Sequence, residues 1–274
     1  MFSREFEFDT ATPVPSERDA DGGAVTAAAH ARPAEAELHA WIEECIADVR
    51  DRGEFTMLDT HKDEFLLLFG VVGRTIRLAD GYLKLCKLGF MSEAVPLARA
   101  ALEHAVTVQW VYILEGGVGR YHRAVVQDRR DHYAKLADWL NQAELLAEVE
   151  RLEPTPEGKR LPPFMNMLRD LDEGKFLETT YHVLSQQVHV THSAVTSFLG
   201  GDEDQVHLKY EQDYPYSYQV TYAVALACMF VRWILAHLTN DDGLLAVLDK
   251  KSDALILPMN LIDGVPPEKR RAGL

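Results

Sequence analysis

Arg99, Glu103, His104 and Gln109 interrupt an otherwise apolar stretch from Ala94 to Leu114. A helix buried on all sides must pair every polar side chain it carries. An unsatisfied buried polar group costs about 1–3 kcal/mol. Arg99 and Glu103 stand four residues apart, about 40° around a helix, so they can pair. The pair is either a structural ion pair that fixes helix register or a charged site facing a pocket or partner.

A second concentration runs from Tyr181 to His192. Tyr181, Ser185, His189 and His192 fall at spacings of four, four and three. In a continuous helix that spacing lines up one phenol, one hydroxyl and two imidazoles on a single stripe. These side chains serve backbone and solvent, or, if the stripe faces Arg99 and Glu103, they form a site. The candidate ligand-binding set is therefore Arg99, Glu103, Tyr181, Ser185, His189 and His192.

Several chemistries lack their residues. Ser185 and His189 could pair as nucleophile and base, but no Gly-x-Ser-x-Gly elbow exists, and a serine inside a helix is a poor nucleophile. Glu103, His189 and His192 could offer metal a mixed oxygen and nitrogen shell. Paired Glu-x-x-His motifs are absent, and Glu35…His39 and Glu178…His182 are each one residue too long. His189-Val-Thr-His192 is not His-Glu-x-x-His. No metal and no cofactor is expected. Cys45, Cys86 and Cys228 stand far apart in apolar patterns and are expected to be buried, reduced thiols.

The elements that must position these residues are helical. Leu38, Trp41, Ile42, Cys45 and Val49 recur at three-four spacing after Pro33 and predict a helix to about Asp51. A second helix is expected from about Asp59 to Lys87, stopped by Gly89. Ser92 is placed to cap a third, over about 93–115, ended by Gly116-Gly117. A long fourth, about 119–151, runs into Pro154 and Pro156. A short segment around 164–171 precedes a helix over about 176–199, then a loop at Gly200-Gly201-Asp-Glu-Asp204. Val206 to Tyr210 alternates as a short strand or arm. Pro215 opens a long apolar helix to about Thr239, and a final helix spans about 241–250. Helices this long with short connections predict an all-α fold, an elongated antiparallel helical bundle with flexible N- and C-terminal tails. Residues 1–32 read as a disordered acidic tail, 33–256 as one bundle domain and 257–274 as a C-terminal tail or strap. The third and the last long helix should be its centre.

Composition narrows the partners. The chain has 274 residues and a formal net charge of −15. That excludes a general polyanion binder, because the chain repels phosphate unless its few cations cluster. The apolar run Ala223–Val231 is too short to cross about 30 Å of hydrocarbon. No secretory leader pattern is visible near Met1. The expectation is a cytoplasmic protein with no membrane partner. It is expected to be a homo-oligomer, with an unidentified small ligand or protein partner.

Gly89-Phe-x-x-Glu93-Ala-x-x-Leu97-x-Arg99-x-x-x-Glu103, followed by Leu184-Ser185-x-x-Val188-His189, resembles a family of uncharacterised bacterial helical proteins, domain of unknown function 5677. That family is placed near the HEPN superfamily of nucleotide-binding and ribonuclease domains. The resemblance covers roughly residues 60–240 and implies an all-helical bundle, with no established activity. HEPN ribonucleases carry an Arg-x4–6-His motif that acts on the RNA phosphate and 2′-hydroxyl. Arg99/His104 and Arg232/His237 match that spacing, although about two such matches arise by chance. In a continuous helix the two side chains sit about 140° apart. The first expectation is a binding or interaction module. The alternative is a HEPN-like ribonuclease of a toxin or phage-defence system, with Arg99 and His104, or Arg232 and His237, as catalytic pair, and RNA as partner only in that case.

Overall fold

The computed structural model describes residues 32–274, apart from 58, 153, 173, 190, 202–204 and 211–213. The expected acidic tail, 1–32, lies outside the described residues except for Arg32. The rest is a helical bundle. Its helices are α1 (Glu35–Asp51), α2 (Lys62–Lys87), α3 (Met91–Ile113), α4 (Gly117–Leu140) and α5 (Ala143–Arg151). There follow α6 (Phe164–Leu171), α7 (Phe176–Val188), α8 (His192–Thr196), α9 (Ser217–Thr239) and α10 (Asp242–Leu255).

Helices α3 and α9 are the centre, as their nearly all-round apolar sequences require. They pack on each other and on α2, and α1 packs against α9. Trp41, Tyr82, Leu102, Trp110 and Phe230 fill the core. By length and composition α9 could span a bilayer, yet 89% of its apolar window is buried inside the bundle. Trp41 and Gln109 carry polar atoms into this core, and both are satisfied. Trp41 Nε1 donates to the Ala225 carbonyl at 3.1 Å. Gln109 Nε2 donates to the Phe230 carbonyl at 3.1 Å, and its Oε1 accepts from the Leu261 amide at 3.3 Å. Gln109 is thus a structural tie between α3, α9 and the C-terminal segment.

The boundaries follow backbone chemistry. Gly89, at φ +85°, ends α2 as a left-handed glycine should. The expected cap at Ser92 is not used. Phe90 is the N-cap, no side chain caps the helix, and Ser92 lies within its first turn. The expected long fourth helix is two helices. Asn141 adopts a left-handed φ of +51°, which ends α4, and α5 packs back on it. Asparagine tolerates that conformation because its short amide can bond locally. The helix expected over 176–199 also breaks, because His189 is extended and only the short α8 follows.

Leu199–Gly201 and Val206–Leu208 pair as a small antiparallel hairpin, with Gly200 opposite His207. The C-terminal segment is a strap held on the bundle. Leu257 and Val265 are buried. The Arg271 amide donates to the Ile113 carbonyl at 2.7 Å and its guanidinium pairs with Glu64. Cys45 and Cys228 are buried, whereas Cys86 is only half-buried. Burial pushes the Cys45 thiol well above the ordinary thiol range, as for an inert core cysteine.

Candidate functional site

Arg99 and Glu103 project from one face of α3, two turns into the helix. That face is not covered by α2 or α9 but by α6 and α7. Arg99 Nε donates to Glu103 Oε1 at 3.0 Å, the expected i,i+4 pair. Its side chain is 18% exposed and that of Glu103 34%.

Helix α7 brings a phenol onto this pair. Arg99 Nη2 donates to the Tyr181 hydroxyl at 2.6 Å, and that hydroxyl donates to Glu103 Oε1 at 2.7 Å. Three side chains from two helices therefore close a triangle. The Arg99 guanidinium also lies over the Tyr181 ring, 4.8 Å from its centroid, and Phe164 of α6 flanks that ring at 4.8 Å. Removal from water pushes the Tyr181 phenol above its usual range. Its bond to Glu103 adds to the rise and Arg99 opposes it. Tyr181 therefore stays a neutral hydroxyl that accepts and donates at once.

His189 completes the network from just beyond the end of α7. Its Nε2 stands 3.1 Å from Arg99 Nη1. A guanidinium only donates, so this nitrogen is the acceptor in the contact. The other two members of the expected stripe do not join. Ser185 Oγ donates back to its own helix, to the Tyr181 carbonyl at 2.7 Å. His192 begins α8 and is exposed. The stripe fails beyond Ser185 because the helix ends at Val188, and His189 reaches Arg99 from an extended residue instead.

A cavity of about 360 Å³ opens beside the triangle, lined by Met165, Lys175, Thr179, Tyr181, His182 and Ser185 among others. Tyr181 belongs to both the network and the cavity wall. On the cavity's rim Glu178 pairs with Arg169 at 2.9 Å, which holds its carboxyl below the usual carboxylate range.

The two Arg-x4-His spacings behave differently. His104 Nδ1 meets the Ala100 carbonyl at 2.7 Å, one turn back on α3, while Arg99 is engaged with α7. Arg232 is buried in α9 and pairs with Asp48 of α1. His237 lies 4.3 Å from the Trp233 ring and 5.9 Å from that of Tyr112. Its basicity is lowered by burial first and by the Arg271 charge second. In neither spacing does a hydrogen bond join the arginine to its histidine. Both helices run uninterrupted through the motif, so the sequence separation throws the two side chains onto different faces. Among the described residues no group of three His, Cys, Asp or Glu side chains could hold a metal ion.

The model of a family of unknown function, DUF5677, matches residues 65–206, just over half of the chain. The chain belongs to that family. The DUF5677 match contains the whole Arg99, Glu103, Tyr181 and His189 network, but not Asp48, Arg232 or His237. It ends short of the long helix α9 that completes the core. No curated protein and no solved structure matches the chain.

The Asp48–Arg232 ion pair and the Asp241 side chain beside it were not legible in the sequence. Arg52 bridges both acids, at 3.4 Å to Asp48 and 3.2 Å to Asp241. The single arginine inside the most apolar helix was the available signal for such a pair.

Proposed function

We propose that this chain is a binding module whose ligand site is the α3–α7 seam. The observation that carries the reading is the double use of Tyr181. Its hydroxyl closes the Arg99–Glu103 pair, and its ring walls the neighbouring cavity. A ligand entering between α6 and α7 would meet Tyr181 first. It would reach a guanidinium, a carboxylate and an imidazole held in fixed relation behind it. That mixture of donors and acceptors on rigid helices suits a small polar molecule, oriented by few but directional hydrogen bonds.

The ribonuclease alternative needs an arginine and a histidine on one phosphate. Arg99 and His104, like Arg232 and His237, are committed to different neighbours within the chain, so the binding reading is preferred. The homo-oligomer reading draws on the hairpin and its flanks, where Val195, Phe198, Leu199, Leu208 and Tyr210 are all exposed. Apolar side chains so concentrated favour association.

The experiment is a thermal-shift screen of polar metabolites on the full chain and on Tyr181→Phe, with RNA cleavage assayed in parallel. The expected result is stabilisation of the wild type by at least one compound and none of the variant. RNA cleavage lost in His104→Ala or His237→Ala would replace this reading with the alternative.

A further inference from the structure

A larger opening lies at the other end of α3. A cleft of about 730 Å³ sits between that end, the first turn of α4, α6 and the C-terminal strap. Trp110 and Val265, both buried, form part of its floor. Eight charged side chains line it, and they divide by depth. Glu115, Asp170, Asp263 and Glu268, with Arg169 and Lys269, are exposed, four carboxylates against two cations. Charges so exposed are screened by water and salt. Arg120 and Arg270 are half-buried, and both are cationic.

Neither inner arginine forms an ion pair with a described residue. The Arg120 side chain makes no hydrogen bond to any described residue. Its guanidinium carbon lies 5.4 Å from the centroid of the Trp110 ring. Trp110 is itself fixed, because its Nε1 donates to Asp170 at 2.9 Å. Arg270 spends Nε on the Val265 carbonyl at 2.7 Å, which orients it and leaves its Nη donors. The strap that carries Arg270 is anchored next to the cleft. Leu114 pairs with Arg270 in a backbone bridge, and the Glu115 amide donates to the Lys269 carbonyl at 3.0 Å. Two guanidinium groups with no carboxylate in an ion pair, on a partly apolar floor, make an anion site, since guanidinium donors match carboxylate and phosphate oxygens.

We propose that this cleft is a second binding site, which takes a small molecule bearing a carboxylate or phosphate on Arg120 and Arg270. It is separate from the α3–α7 seam. Arg99 and Trp110 are eleven residues apart on one helix, about 16 Å. The strap completes this site, and it lies outside the residues matched by the family.

The test is calorimetric titration of the full chain with inorganic phosphate, pyrophosphate and citrate in a low-salt, phosphate-free buffer. Saturable binding of at least one probe is expected. Arg120→Gln should weaken it about tenfold or more. Arg129→Gln, on an exposed face of the same helix, and Tyr181→Phe, in the other site, should leave it unchanged. If Arg120→Gln does not fold, Arg120→Lys keeps the charge and should bind several-fold more weakly, because an ammonium lacks the planar fork. No binding of any probe overturns the proposal. So does affinity unchanged in the Arg120 variant that folds.

Discussion

Two arginines in the two central helices are treated in opposite ways. Arg232 of α9 is 6% exposed and answers to one acid, Asp48 of α1, which is itself 31% exposed. Arg99 of α3 is 18% exposed and answers to a carboxylate, a phenol and an imidazole at a seam beside a cavity. The sequence presents both alike, as one cation in an apolar helix. The difference lies in the neighbours. A buried cation with a single counterion serves register and cohesion, and removing its partner leaves a stranded charge. A cation with several directional partners at a solvent-accessible edge can exchange one of them for a ligand.

That contrast can be broken by mutation. The largest effect is expected for Asp48→Ala, which strands Arg232 and leaves Arg52 only Asp241. Urea unfolding should show a loss of about 3–5 kcal/mol. Tyr181→Phe should cost only about 1 kcal/mol in the same assay, while abolishing the stabilisation given by any ligand of the seam. Ser185→Ala should stay within about 0.5 kcal/mol and weaken ligand binding less than Tyr181→Phe, because Ser185 lines the cavity but its Oγ bonds its own helix and not the network. A Ser185 effect as large as that of Tyr181 would enlarge the site to the full stripe expected from sequence.

A smaller effect separates the two regions by pH. Burial and Arg271 hold the His237 imidazole below its ordinary range, so the unfolded chain binds the proton more readily. Its contribution to stability is therefore complete above the unfolded value near 6.5 and is lost as the pH falls through the lower folded value. Melting temperatures measured from pH 7.5 down to 5 should fall, and His237→Gln should flatten part of that fall.

The bundle was legible because its signals are local and repeated. Three-four spacing marked α1, α2, α3 and α9, and Gly89 marked the end of α2. The all-apolar character of α3 and α9 put them at the centre. The breaks were less legible because they hang on single residues. Asn141 turns one expected helix into a hairpin, and the extended His189 divides another. For the site, Arg99 and Glu103 stood out by being polar where apolar residues surround them, and Tyr181 by its spacing. That Tyr181 would cross to α3 while Ser185 turned back on its own helix depends on the crossing of two helices, which no local pattern encodes. The pairing of Arg232 with Asp48, across more than half of the sequence, was hidden for the same reason.

The most direct test of the contrast is the urea unfolding free energy of Glu103→Ala beside that of Asp48→Ala. Glu103→Ala leaves Arg99 its bonds to Tyr181 and His189 and its access to water. The account predicts a loss of about 1 kcal/mol or less. A loss as large as that of Asp48→Ala would contradict it, making the α3–α7 network a structural brace like its buried counterpart.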